Sequence, residues 1–165
     1  MKSNNLLKII AMVCSLSLMT GCSDNKDKGS SSNGGGGGGG GGGGTAPANL
    51  SNQLLTVQVN SGTPVFKDHG TYTFLSDNGA GTSGTYHIVG DGNIPSNIGT
   101  FTYHKIAENT GELTEVEESG TVVHNILTYD TPTSGSIRSD IPSGANPNGG
   151  VQTGTFTMQD VSGSP

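Results

Sequence analysis

Gly99-Thr100-Phe101-Thr102-Tyr103 decides the fold class of this chain, together with its near copies Gly70-Thr71-Tyr72-Thr73-Phe74, Gly84-Thr85-Tyr86-His87-Ile88 and Gly154-Thr155-Phe156-Thr157-Met158. Gly120-Thr121-Val122-Val123-His124 and Gly135-Ser136-Ile137-Arg138-Ser139 are looser relatives. In each close copy the third and fifth residues are large and apolar, and the residue between them points the other way. That period of two is the mark of a half-buried antiparallel strand. The connections between copies, such as Asp77-Asn78-Gly79 and Glu108-Asn109-Thr110-Gly111, are rich in turn residues.

Working outward from the repeats, short alternations continue on both sides and no stretch holds a helical spacing. Candidate strands cover residues 54–60, 71–75, 85–90, 100–106, 112–117, 121–130, 135–139 and 152–159, with 112–117 the weakest pattern. The expected fold is all-β: an antiparallel meander of about eight strands, curled into a small up-and-down barrel that hides its edges. A β-solenoid would need more even spacing than the long connections 91–99 and 142–150 allow.

The runs from Gly99 to Leu113, from Leu127 to Ile137 and from Gly150 to Met158 resemble a pattern in secreted bacterial meander proteins, similar to the calycin-like small barrels and MoaF-like domains. The resemblance covers roughly residues 70–160. It departs from true lipocalins, which carry a Gly-x-Trp near the first strand, because this chain has no tryptophan. It implies the barrel fold and brings no catalytic residues.

Upstream of the repeats the chain changes character twice. Residues 1–8 carry Lys2 and Lys8, and an apolar run follows from Ile9 to Met19, too short for a bilayer span of about 20 residues. It ends in Leu18-Met19-Thr20-Gly21-Cys22, which resembles the lipobox of bacterial lipoproteins. There, small residues precede a cysteine that takes a diacylglyceryl group before cleavage. Met19 stands where that motif usually has leucine. The resemblance implies that residues 1–21 are a signal peptide and that Cys22 is the lipid-attachment site, anchoring the mature chain to the cell envelope by two or three acyl chains. Ser23 after the cysteine, rather than Asp, favours the outer membrane by the sorting rule of enteric bacteria.

Residues 23–33 are polar, and the unbroken glycine tract from Gly34 to Gly44 follows. Such a segment is read as a flexible tether with an r.m.s. span of roughly 26 Å. The barrel domain is therefore expected over residues 45–165. Leu, Ile, Val and Phe make up about one residue in five of it, so its core should be thin. Cys14 would leave with the signal, so no intramolecular disulfide is available. Without the signal, five basic residues face thirteen acidic ones, a net charge of −8. That balance excludes nucleic-acid binding, which draws its affinity from clustered Lys and Arg.

Motifs with chemical meaning are few. Gly79-Ala80-Gly81-Thr82-Ser83-Gly84 fits G-x-G-x-x-G but precedes a strand, whereas a dinucleotide site needs it to open a helix, so it reads as a turn. His87 and His104 are expected as diagonal neighbours on the solvent face of a 85–90/100–106 hairpin, with no third ligand at zinc spacing. Glu108, Glu112, Glu115, Glu117 and Glu118 read as a solvated acidic edge that discourages strand-to-strand aggregation. No G-x-S-x-G and no cysteine nucleophile is present in the domain. Neither catalysis nor a cofactor or metal is expected. The expected role is a membrane-anchored, non-catalytic binding module for a small or apolar ligand. Its ligand-facing residues would be Tyr72, Phe74, Tyr86, Ile88, Phe101, Tyr103 and Phe156, with tyrosine hydroxyls as polar handles. The rival expectation is a structural or interaction protein of the envelope with a filled interior, contacting protein or polysaccharide.

Overall fold

A computed structural model describes residues 44–142 and 149–163 of the chain. The expected signal peptide, Cys22, the expected tether up to residue 43, residues 143–148 of the 142–150 connection and residues 164–165 lie outside the described residues. The strands are β1 (Gln53–Gly62), β2 (Gly70–Ser76), β3 (Ser83–Gly90), β4 (Asn97–Ala107), β5 (Thr110–Glu117), β6 (Val122–Thr131), β7 (Ser134–Ile141) and β8 (Gly150–Asp160). Each pairs antiparallel with the next, and β8 pairs back onto β1 from Gln53↔Asp160 to Gly62↔Gln152, closing an eight-stranded barrel. The eight expected strands are all present, including the weak one at 112–117. Closure leaves no strand edge open to a second chain.

The repeated glycine has a role that turn chemistry does not cover. Gly84, Gly99, Gly135 and Gly154 lie inside strands, two residues before an inward apolar side chain. A Cβ on Gly99, Gly135 or Gly154 would strike the backbone of the neighbouring strand, at Val116, Thr128 and Gln58 respectively. These glycines let the wall bend tightly enough to close, as glycine does at barrel corners.

The two ends of the barrel differ. The proximal end carries the connections 77–82, 108–109 and 132–133, and the chain itself closes it. Residues 44–52 cross this end, with the Ala46 amide donating to the Glu108 carbonyl (2.8 Å) and the Leu50 amide to the Gly81 carbonyl (2.9 Å). The Tyr103 hydroxyl donates to the Pro47 carbonyl (3.0 Å), and Ala46 and Leu50 are buried. Behind this plug the interior is apolar and aromatic. Phe74 stacks on Tyr86 (5.2 Å between ring centres) and meets Phe101 edge-on (5.4 Å), while Tyr129 meets Phe156 edge-on (4.9 Å). Leu55, Leu113, Leu127 and Met158 fill the spaces between the rings.

Candidate functional site: a polar-floored cavity at the distal end

On the four adjacent strands β5 to β8, the inward phase meets a polar residue toward the distal end. On β5, Leu113 is followed inward by Glu115; on β6, Leu127 is preceded by Asn125; on β7, Ile137 is followed by Ser139; on β8, Gly154 is preceded by Gln152. All four polar residues are buried. Register makes them one stripe: Asn125 lies opposite Ser139, Ser139 lies opposite Gln152, and Glu115 lies opposite Val123, one inward step from Asn125.

This stripe floors a cavity of about 230 Å³. Tyr72, Ile88, Val123 and Ile141 line it from the strands, and Phe66, Lys67, Ile94 and Asn97 from near the β1–β2 and β3–β4 connections. Gln152 Nε2 donates to the Lys67 carbonyl (3.1 Å), and Asn125 Nδ2 to the Leu113 carbonyl (3.1 Å). Val65, which leads into Phe66, sits at φ 89°, a backbone region β-branched residues rarely enter and one that recurs where loops clamp ligands.

The electrostatics of the cavity are dominated by Glu115. Its side chain is buried, with the residue only 5% exposed, and no ion pair reaches it among the described residues. Desolvation lifts its carboxyl to about 8, opposed by the Asn125 amide and assisted by the neighbouring Glu117 charge. Burial also raises the Tyr72 and Tyr86 phenols, and the Glu115 carboxylate adds to both shifts. Asn97 orients its amide by donating Nδ2 to Glu117 Oε1 (3.0 Å), which leaves its Oδ1 buried without a partner. The Tyr72 and Ser139 hydroxyls and Lys67 also line the cavity.

No protein-family model, no curated protein and no solved structure matches this chain.

The residues expected from sequence to face a ligand are all buried in the barrel, but they divide by height. Tyr72 and Ile88 line the distal cavity. Phe74, Phe101, Tyr103 and Phe156 pack into the proximal half, where the Tyr103 hydroxyl is already committed to Pro47. Tyr86 is fully buried, and its hydroxyl has no hydrogen-bond partner. Cys22 lies outside the described residues.

Two expectations are corrected. The glutamates of residues 108–118 are not one solvated edge: the barrel has no edge there, and Glu115 points inward. Nor are His87 and His104 neighbours. The β3–β4 register sets His87 against Ile98, while His104 lies beyond the Ser83↔Thr102 pair and faces Glu112 on β5. Instead His87 Nδ1 meets Asp77 Oδ1 at 2.6 Å, and the Thr85 hydroxyl donates to the other oxygen of the same carboxylate. This outer-wall cluster ties the β2–β3 turn to β3. Among the described residues, no group of three or more His, Cys, Asp or Glu is placed to hold a metal.

Sequence reasoning missed Glu115, Asn125, Ser139 and Gln152. The signal was the same period of two that found the aromatic residues. Counting by twos from Leu113, Leu127, Ile137 and Phe156 reaches each of them on the inward phase, and all at one end.

Proposed function

We propose that this chain is a membrane-anchored envelope lipoprotein whose barrel is a non-catalytic binding module for one small ligand. The observation that supports the binding role is the distal cavity, with its polar floor and apolar walls, the combination small-molecule sites use. At about 230 Å³ it exceeds the roughly 150 Å³ that accepts benzene in a protein core, so it suits a ligand of about ten heavy atoms. The tether joins the barrel at residue 44, at the end opposite the cavity, so anchoring and binding would not compete for one surface.

A native mass spectrum of the full chain, extracted gently from a bacterial envelope, tests the binding role. The expected result is a stoichiometric extra mass of small-molecule size that leaves on denaturation. A clean apo mass that persists after incubation with an envelope small-molecule extract would favour the interaction-protein reading. That reading draws on Ile98 and Val116, exposed diagonal neighbours on the outer wall of β4 and β5 that line a shallow groove.

A further inference from the structure

The chemistry of the cavity narrows the class of ligand. The Tyr72 and Ser139 hydroxyls can donate or accept, so the feature that sets the charge preference of the cavity is its buried carboxyl. Glu115 is a buried carboxyl with no cationic partner among the described residues, and Asn97 holds a buried acceptor oxygen with no donor. Asn97 cannot turn its amide to offer a donor instead without placing Oδ1 against the Glu117 carboxylate. The other charged residues lining the cavity are Glu117 at the end of β5 and the exposed Lys67. The walls offer Ile88, Val123 and Ile141 to a short hydrocarbon.

We propose that the distal cavity binds a compact organic ammonium, its N–H groups on Glu115 and its short apolar body against Ile88, Val123 and Ile141. The assignment rests on the binding-module reading above and specifies its ligand class. An unpaired buried acid is costly to ionise alone, but an ammonium that enters with its own donors supplies the missing counter-charge. A neutral or anionic ligand leaves Glu115 in its protonated form, so only an ammonium turns the buried acid into an ion pair.

Proton linkage gives this binding a distinctive signature. In the free barrel the Glu115 carboxyl holds its proton up to about pH 8. An ammonium pairs with the carboxylate, so binding below that pH releases this proton to solvent. The titratable and charged groups around Glu115 are Tyr72 from β2, Tyr86 from β3, Glu117 on its own strand and Lys67 beside the β1–β2 connection; no histidine lines the cavity. Between pH 6 and 7 the carboxyl of Glu115 is thus the group expected to lose its proton on binding.

Calorimetric titration of the full chain with n-hexylammonium, n-hexanol and hexanoate tests the proposal with three probes of one length. Hexylammonium should bind one to one, at least tenfold tighter than hexanol, with hexanoate weakest. Its affinity should rise up to tenfold per pH unit between pH 6 and 7 and level off above 8. Glu115→Gln should weaken it at least tenfold at pH 8, whereas Glu112→Gln on the outer wall should leave it unchanged. Hexanol binding as tightly as hexylammonium, or a pH-independent affinity in the wild-type chain, would overturn the ammonium assignment and leave the binding module standing. Hexanoate binding best would do the same and point to Lys67. If none of the three binds at millimolar concentration, the ammonium assignment fails, and the mass spectrum decides separately whether any small ligand occupies the barrel.

Discussion

Glu115 has a consequence for stability that needs no ligand. Burial lifts its carboxyl from an ordinary 4.5 to about 8, so the folded barrel keeps a proton that the unfolded chain has already lost over that range. Where the native state binds more protons, stability falls as pH rises, by up to about 1.4 kcal/mol per unit for one group. The contribution is intact below about 4.5, fades through the interval and is constant again above about 8. Glu115→Gln, which copies the neutral form, should melt roughly 20 °C above the wild-type chain at pH 8 and level with it at pH 4. Thermal unfolding followed by circular dichroism across that range checks this, and parallel curves for the two proteins would refute it. The sequence held the phase of Glu115 but not its environment. Five glutamates close together read as a solvated edge until strand register shows which of them turns inward.

At the scale of the strand, the Gly-Thr-aromatic repeat announced most of the architecture. Alternation located all eight strands because inward aromatic and aliphatic side chains need the thin core to fold at all. It left Gly84 and Gly99 just outside the expected strands 85–90 and 100–106, since glycine marks a turn and a bend in a wall by the same absence of a side chain, while Gly135 and Gly154 fell inside theirs. On β5 the lack of Cβ serves packing: a Cβ at Gly111 would land on the Tyr103 ring, the ring that holds the proximal plug through Pro47. Gly111→Ala should therefore cost about 1–3 kcal/mol by overpacking. Tyr103→Phe, which loses only the hydrogen bond, should cost about 1 kcal/mol. Urea unfolding of both variants separates the two effects, and equal midpoints would mean that the ring adjusts without strain.

Over the whole molecule, the alternating pattern could not by itself distinguish a closed barrel from two packed sheets, because both present one wet and one dry face. Closure depends on the long-range pairing of β1 with β8, which no local spacing reports. The N-terminal anchor stands on the lipobox resemblance at Cys22. Cys22→Ala should move the protein from the membrane fraction to the soluble envelope fraction, with the cavity and its ligand unaffected. Retention in membranes without an acyl mass on the mature N-terminus would remove the lipoprotein reading. The β1–β8 seam also dictates an order of events in the making of the protein. Residues at the two extremes of the domain, Gln53 and Asp160, are partners. The first strand to be synthesised therefore waits for the last before it can complete its hydrogen bonds. The other seven pairings join neighbours in sequence, so this seam is the slow step of closure, and until it forms one edge of β1 stays exposed. The cell must keep that strand from finding another chain before its own has arrived.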